Sequence, residues 1–189
     1  LGVPLDVLIV RKLGVPGHEE LAMGAIASGG VRVLNDDVVK NLALTEEAIE
    51  REVAIEQAEL ERRNMRYRGA KPFPSLAGKT VIVVDDGIAT GATMRAAVKA
   101  LRQHRPARLI IAAPTSARDT YYTLCHEADE VVCLATPEPY IAVGLWYEHF
   151  PQTSDEEVKL LLEQANARQL EERRAYGTRS DDNPSPHSD

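Results

Sequence analysis

The sequence predicts an α/β fold: a Rossmann-like, mostly parallel central sheet flanked by helices, with a C-terminal helix. Apolar runs with strand character lie at Val81–Val84, Arg108–Ala113 and Glu130–Ala135, and helical segments separate them at Met94–Gln103 and Thr120–Ala128. Such alternation is typical of parallel sheets with covering helices. Ligands of these sheets bind at the carboxyl ends of strands, so the residues that follow Val81–Val84, predicted as a central strand, are the first candidates for a site.

Composition and charge exclude several classes of protein. With 189 residues, 44% apolar and 27% charged, the chain fits one globular domain. Its net charge of −7 argues against broad nucleic-acid binding, and no apolar run approaches the roughly 20 residues that span a bilayer. Cys125 and Cys133 lack metal-ligand spacing and are expected to be buried free thiols of a reducing compartment. We therefore expect a cytoplasmic protein without nucleic-acid or membrane partners.

The first half of the chain contains less regular elements. Leu5–Val10 is an apolar run that predicts a buried strand, ended by an Arg-Lys pair and a loop with glycine and proline. Leu21–Ala27 and Val31–Leu34 predict short strands or a hairpin around a Ser-Gly-Gly turn. Thr45–Tyr67 is the clearest helix, because Thr45 can cap it and two glutamates follow in its first turn.

The chain is expected to have three parts. Residues 1–150 are predicted to form the main domain and residues 151–172 a C-terminal helix, where Ser154 and Glu157 form a capping box. Residues 173–189 are polar with little to bury, so we expect a disordered tail there.

The most informative segment is Val81–Met94, which reads VIVVDDGIATGATM. Two adjacent carboxylates, Asp85 and Asp86, follow the strand, and a turn of small residues leads into the next helix. We call Asp85–Thr93 the acid turn. Its backbone N–H groups and the helix dipole favour an anion, and Gly91 lets the backbone approach a ligand closely. The carboxylates suit the vicinal hydroxyls of a sugar, directly or through a hydrated Mg²⁺.

A plain strand-to-helix turn, in which the aspartates cap the helix, is the alternative interpretation of the acid turn. It does not explain why both acids precede an Ala-Thr-Gly-Ala-Thr sequence. A Walker A loop is excluded, because no Gly-Lys-Ser/Thr follows the glycines. The segment therefore predicts a site for a phosphorylated sugar.

The segment resembles the signature of type I phosphoribosyltransferases, which bind 5-phosphoribosyl 1-diphosphate (PRPP). In that family two acids follow a hydrophobic strand and precede a turn of the form x-T-G-x-T. The resemblance covers Leu5 to about Phe150. It implies that Asp85 and Asp86 hold the ribose hydroxyls, and that the cofactor is Mg²⁺, held through water or PRPP rather than by direct protein ligands. It implies a PRPP-binding loop made of Asp85, Asp86, Gly87, Ala89, Thr90, Gly91, Ala92 and Thr93.

The activity implied by the resemblance is transfer of a phosphoribosyl group to a nitrogenous base or similar small-molecule acceptor, with release of pyrophosphate. Ala89 is similar to the residue of adenine-type enzymes, which favours an adenine-like or unusual acceptor. A homodimer is compatible with this resemblance. Two rival functions stay open: a non-catalytic PRPP sensor, and an interaction domain fused to another enzyme.

Arg11 and Lys12 join Asp85 and Asp86 as candidate catalytic residues, because a pyrophosphate-releasing transferase needs cations for its leaving group. The run Arg11–Gly14 resembles the Arg-Lys-x-Gly run of adenine-type phosphoribosyltransferases. Surface cations at a strand end are the alternative. Since parallel strands place their carboxyl ends on one side, we expect both cations to face the cleft of the two aspartates.

Two further groups follow from the resemblance. The basic cluster Arg62, Arg63, Arg66 and Arg68 is either a solvated helix end or part of the family's mobile loop over pyrophosphate. Trp146 or Tyr147 could stack on the acceptor as part of a C-terminal hood, or could pack the last edge of the domain.

The family also has a strand, a pyrophosphate loop and a helix before the segment that corresponds to Leu5–Val10. We expect the strand, the loop and most of the helix to be absent from this sequence, whose first residues, Leu1–Pro4, resemble the end of that helix region. The resemblance therefore does not by itself imply activity for this chain alone.

Overall fold

The structure is a computed structural model that describes residues 2–177, without the side chains of residues 19, 20, 170 and 172–177. The chain divides into two compact units, Leu8–Pro151 and a second unit that joins Leu1–Val7 to Gln152–Asp189. The elements in chain order are β1 (Val10–Val15), β2 (His18–Ala27), β3 (Val31–Leu34), α1 (Asp36–Asn41), α2 (Glu46–Arg68), β4 (Thr80–Val84), α3 (Ala92–Gln103), β5 (Arg108–Thr115), α4 (Arg118–Cys125), β6 (Glu130–Ala135), a 3₁₀ turn (Val143–Trp146) and α5 (Asp155–Gly177).

The second half of Leu8–Pro151 forms the predicted parallel sheet, in the order β4-β5-β6. Its register pairs Val81 with Leu109 and Val83 with Ile111. This confirms the predicted α/β class and the alternation of strands and helices. The prediction that Val81–Val84 is a central strand is wrong for the described strands: β4 lies at the edge, because β1, β2 and β3 form a separate antiparallel sheet.

The predicted strand Leu5–Val10 is displaced along the chain. β1 begins at Val10 and continues to Val15, which pairs with His18 across a tight turn at Pro16–Gly17. Proline favours the first central position of such a turn, and Gly17 supplies the positive φ of 77° that the second requires. The strand therefore continues through the Arg-Lys pair instead of ending there. The predicted hairpin of β2 and β3 is confirmed, with Ala27 opposite Val31.

Helix α2 confirms the prediction for Thr45–Tyr67. The Ala48 N–H donates to Thr45 Oγ1 at 3.3 Å, which is the expected cap. Ile49 and Leu60 of this helix are buried in one cluster with residues of β1 and β2. The basic cluster Arg62, Arg63, Arg66 and Arg68 lies within the last turns of α2, as in the helix-end interpretation and not in a loop.

Helix α3 packs between the two sheets. Met94, Val98 and Leu101 recur at helical spacing and share a buried cluster with Leu109 and Ile111 of β5. Ala100, on another side of the helix, is buried with Ala27 and Val31 of the antiparallel sheet. The small side chain of Ala100 lets that sheet approach α3 closely. Packing on both sides fixes where the amino terminus of α3 lies.

The parallel strands bury one face more fully than the other. Leu109 and Ile111 are 0% exposed, whereas Val84 of β4 is 71% exposed and Leu134 of β6 is 83% exposed. Continuous apolar runs are typical of strands covered on both faces. The sequence therefore suggested more burial than the described residues show.

The remaining predictions concern the carboxyl-terminal part and the thiols. The Glu157 N–H donates to Ser154 Oγ at 3.2 Å, as the capping box requires. α5 continues to Gly177, past the predicted end at residue 172, and residues 178–189 of the predicted tail lie outside the described residues. Cys125 and Cys133 are free, but the prediction that they are buried is wrong: Cys125 is exposed and Cys133 is only partly buried. Among residues 2–177, no helix is both long and apolar enough to cross a membrane.

A buried hydroxyl ties the hairpin to α2 and is expected to matter for stability. Ser28 is 0% exposed; its Oγ donates to Asn64 Oδ1 at 2.9 Å and accepts from the Ile9 N–H at 3.1 Å. Ser28→Ala leaves the Ile9 N–H without an acceptor, while Asn64 Oδ1 still accepts from Arg68 at 3.0 Å. The change should lower the free energy of unfolding by about 1–3 kcal/mol, measured by urea denaturation. Ser75→Ala, at an exposed serine, is the control and should change it by less than about 0.5 kcal/mol. Equal changes in the free energy of unfolding of Ser28→Ala and Ser75→Ala would contradict a stabilising role of the Ser28 hydroxyl.

Candidate functional site

The acid turn begins where β4 leaves the parallel sheet. The Asp85 N–H still donates to Ala112 O at 3.1 Å, which continues the ladder with β5. The chain returns to the end of β5 at Ile88. The Ile88 N–H donates to Thr115 O at 3.0 Å, and the Ile88 carbonyl accepts from the Ala117 N–H at 2.8 Å. Asp86 and Gly87 therefore project beyond the carboxyl end of the sheet, in the predicted position.

The acid turn ends at the first residues of α3. Gly91 is the N-cap residue with a left-handed φ of 73°, and the helix has neither a side-chain cap nor an acid in its first turn. The alternative in which the aspartates cap the helix is therefore wrong. A Cβ on Gly91 would lie 2.5 Å from Thr120 Cγ2, so both the dihedral angle and the space require glycine.

Three carbonyls of the acid turn are held by donors from elsewhere in the chain. Asp86 O accepts from the Tyr147 hydroxyl at 2.6 Å, Ile88 O accepts from the Ala117 N–H at 2.8 Å, and Ala89 O accepts from the Thr120 hydroxyl at 2.7 Å. Because a trans peptide is planar, the N–H across each of these bonds points away from the donor. These N–H groups belong to Gly87, Ala89 and Thr90, and none has an acceptor among the described residues. Ala89 is partly exposed and Thr90 is exposed, so their N–H groups are available to an anion, whereas Gly87 is buried.

The two carboxylates of the acid turn differ in environment. Asp85 is partly buried and Asp86 is exposed, and the Asp86 N–H donates to Asp85 Oδ1 at 3.0 Å. Burial, together with the nearby charge of Asp86, raises the pKa of Asp85 above its ordinary value. Neither carboxylate forms an ion pair with a lysine or arginine in the described part of the chain. Such unpaired acids suit hydroxyl donors or a cation.

The predicted hood contacts the acid turn directly. A Cβ on Gly87 would lie 2.5 Å from Val143 Cγ1 and 3.0 Å from the Tyr140 hydroxyl, so the hood packs against the bare backbone. Burial also raises the pKa of the Tyr140 hydroxyl. Trp146 is 45% exposed and stacks on Tyr140 with ring centroids 6.1 Å apart. The structure thus brings Tyr147 to the acid turn, and the exposed Trp146 stacks on Tyr140, which lies next to the turn.

Arg11 and Lys12 are placed differently from expectation. They lie inside β1 of the antiparallel sheet, whereas Asp85 and Asp86 follow a strand of the parallel sheet. Arg11 Nε donates to Glu56 Oε2 of α2 at 2.5 Å. Successive residues of a strand point to opposite faces, so Lys12 points away from α2. The expectation that both cations share one cleft at parallel strand ends is therefore wrong for Arg11, because its side chain is turned to α2.

Comparison with known proteins agrees with this geometry. The model of the phosphoribosyl transferase domain family matches residues 17–145. The chain belongs to this family. Two relatives from Mycobacterium tuberculosis, "Putative phosphoribosyl transferase MT0597" of strain CDC 1551 / Oshkosh and "Putative phosphoribosyl transferase Rv0571c" of strain H37Rv, are each 48% identical over 166 residues. These 166 residues are 88% of the chain but 38% of the length of either relative.

A solved structure also resembles this phosphoribosyl transferase domain. The crystal structure of TT1426 from Thermus thermophilus superimposes with a TM-score of 0.76 at 38% sequence identity. The match covers 85% of this chain and 76% of TT1426.

Sequence reasoning missed the residues that hold the turn of this domain from outside. The sequence pattern predicts Thr120 only as the start of a helix, and it assigns neither Tyr140 nor Val143 to the site. The available signal was position alone: Thr120 lies just after the strand adjacent to β4, where side chains of a parallel sheet reach the same edge.

The requirement for glycine at the start of α3 can be measured. Gly91→Ala should destabilise the domain by about 1–3 kcal/mol, because alanine would have to adopt a positive φ and would clash with Thr120. Gly78→Ala is the matched control: Gly78 also has a positive φ, of 70°, but nothing lies within 4 Å of its added Cβ. Chemical denaturation of both variants separates the free-energy cost of the positive φ, which both variants have, from the cost of the clash with Thr120, which only Gly91→Ala has. If Gly91→Ala costs no more than Gly78→Ala, the contact with Thr120 does not constrain the turn.

The raised pKa of Asp85 predicts a pH-dependent stability. The folded state holds the proton more tightly than the unfolded state, so stability is lost as pH rises from the ordinary pKa of an aspartate through the raised pKa of Asp85. Asp85→Asn removes this ionisation and should be more stable than the native protein at neutral pH, with a smaller difference at acid pH. Thermal unfolding between pH 3 and pH 7, about the range of an aspartate titration, checks this; a pH-independent difference would contradict it.

Proposed function

We propose that this domain binds PRPP through the acid turn and transfers its phosphoribosyl group to a nitrogenous base or similar small-molecule acceptor, with release of pyrophosphate. The observation that carries the proposal is the set of N–H groups of Gly87, Ala89 and Thr90, which lack acceptors in the described residues and immediately follow two unpaired carboxylates. N–H groups next to the amino terminus of α3 favour the 5′-phosphate, and carboxylates accept from ribose hydroxyls.

Mg²⁺ fits this site as a companion of the ligand. Among the described residues, no group of three or more His, Cys, Asp or Glu side chains could hold a metal ion. The adjacent oxygens of Asp85 and Asp86 nevertheless match the preference of Mg²⁺, which is often bound by one or two carboxylates together with water and substrate phosphates. Its positive charge would also offset the repulsion that helps to raise the pKa of Asp85. Mg²⁺ would supply charge neutralisation for the departing pyrophosphate.

In the proposed reaction, a ring nitrogen of the acceptor attacks C1 of the ribose. The C1–N bond forms, the C1–O bond breaks and its electron pair leaves with pyrophosphate, and the proton of the acceptor nitrogen is released to solvent. Asp85 and Asp86 hold the ribose hydroxyls, and Trp146, which is 45% exposed, offers an aromatic surface for the acceptor. Because Ala89 is similar to the residue of adenine-type enzymes, an adenine-like or unusual acceptor is the favoured class of substrate. A cytoplasmic location, where nucleotide precursors occur, is part of the proposal.

Binding without transfer is the second candidate function. The observation that favours it is the ion pair between Arg11 and Glu56. In this pair Arg11, one of the two cations proposed for the leaving group, is already bound to a carboxylate. A panel of nucleobases with PRPP and Mg²⁺, scored by pyrophosphate release from the full-length protein, separates the two candidates. Release with one base supports transfer. Calorimetric binding of PRPP without release from any base supports a sensor.

The acid pair provides the direct test of binding. Replacing Asp85 and Asp86 together with Asn keeps their size but removes both charges, and should weaken PRPP–Mg²⁺ binding by at least about 1.5–3 kcal/mol in titration calorimetry. Replacing Asp36 and Asp37 with Asn is the matched control, because these exposed aspartates form another adjacent pair at the start of a helix. The control should bind as the native protein does. Unchanged affinity in the Asp85/Asp86 variant, with the fold intact, would show that the acid turn is only structural.

A further inference from the structure

The acid turn is held in shape by two side-chain hydroxyls from other parts of the chain. Tyr147, which follows the 3₁₀ turn, donates to Asp86 O at 2.6 Å, and Thr120 of α4 donates to Ala89 O at 2.7 Å. Between these two points, Ile88 is fixed on both sides by backbone hydrogen bonds to the chain at the end of β5. Each peptide plane between Asp86 and Thr90 is therefore constrained, three of them through the carbonyl and the Gly87–Ile88 plane through its N–H.

These constraints decide which way the turn's donors point. A free peptide can rotate and direct either its oxygen or its N–H toward a ligand. Fixing the oxygen of Asp86 and of Ala89 against a protein hydroxyl directs the N–H of Gly87 and of Thr90 to the opposite side. A carbonyl oxygen facing an anion would repel it, so this orientation determines whether the turn can accept a phosphate at all.

We infer that Tyr147 and Thr120 are positioning residues that hold the acid turn in the orientation that binds the sugar phosphate. The inference rests on the proposed function and extends it to two residues that need not touch the ligand. The Tyr147 hydroxyl, which orients the Asp86–Gly87 peptide, belongs to the hood that is proposed to cover the acceptor. The hood therefore also orients part of the acid turn. Removal of either hydroxyl leaves the turn in place but lets the corresponding peptide rotate.

The packing around both residues allows a clean substitution. Tyr147→Phe removes the donor and keeps the ring that contacts Phe150, with centroids 5.0 Å apart. Thr120→Val removes the donor and keeps the methyl group that lies against Gly91. Two controls match them in chemistry: Tyr122→Phe changes an exposed tyrosine of α4, and Thr123→Val removes a hydroxyl that donates to Asp119 O within the same helix at 2.9 Å.

The first measurement needs no ligand. Amide hydrogen exchange of the full-length protein should be faster at Asp86 and Ile88, whose N–H groups donate hydrogen bonds within the turn region, in Tyr147→Phe and in Thr120→Val than in the native protein, with exchange elsewhere unchanged. The second measurement is PRPP binding with Mg²⁺ by calorimetry. Each variant should bind about two- to tenfold more weakly, the change expected when one hydrogen bond no longer orients a binding group. Both controls should match the native protein in both measurements.

The outcomes separate this inference from the function on which it rests. Native binding of PRPP with unchanged affinity and unchanged exchange in both variants overturns the positioning role while the function stands. Faster exchange in the variants, without any binding of PRPP by the native protein, overturns the proposed function and supports the positioning of the turn. Weaker binding accompanied by a general loss of protection across the domain also overturns the inference, because it would show a structural role without a specific effect on the turn.

Discussion

The packing of α3 between the two sheets is the constraint on which the site depends. Its residues Met94, Val98 and Leu101 lie against the parallel sheet, while Ala100 meets the antiparallel hairpin. A helix held on two sides cannot slide along its axis without losing contacts in both clusters. The amino terminus of α3 is therefore fixed relative to the end of β4, and the acid turn has to span that gap. Its small residues follow from the limited space, since a side chain at Gly87 or Gly91 would overlap Val143 or Thr120.

Several features of the acid turn lower the stability of the folded domain, and contacts around the turn offset this loss. Two adjacent carboxylates repel each other, one of them is partly buried, and several N–H groups of the turn have no acceptor among the described residues. Unpaired polar groups of this kind cost free energy and are typically kept at functional sites. The three bound carbonyls of Asp86, Ile88 and Ala89 stabilise the turn without using the N–H groups. The turn can thus stay ordered while its donors remain free for an anion.

The parts of this fold that the sequence predicted are those whose signals are local. Val81–Val84, the two aspartates and the glycine at the helix start are contiguous, so their periodicity and turn chemistry were sufficient. The displaced β1 shows a different limit: an apolar run marks burial, but pairing across Pro16–Gly17 decides where the strand begins. The edge position of β4 depends on which strands pair, and this long-range property has no local signal. The same holds for the Tyr147 and Thr120 hydroxyls, which reach the turn from distant parts of the chain.

The alternation of side chains along β1 distinguishes Arg11 from Lys12, the two cations proposed for the leaving group. Leu13 belongs to the cluster beneath α2, and Arg11 reaches Glu56 of that helix, so these residues share one face of the strand. Val10 packs in the cluster of Ala100 in α3, and Lys12 lies on the same face as Val10. Releasing Arg11 would leave the carboxylate of Glu56 without its partner. Because Glu56 is only 17% exposed, breaking this ion pair costs more free energy than breaking a surface ion pair. Lys12 is exposed and forms no ion pair within the described residues. Of the two cations, Lys12 can therefore meet a pyrophosphate group at the lower free-energy cost.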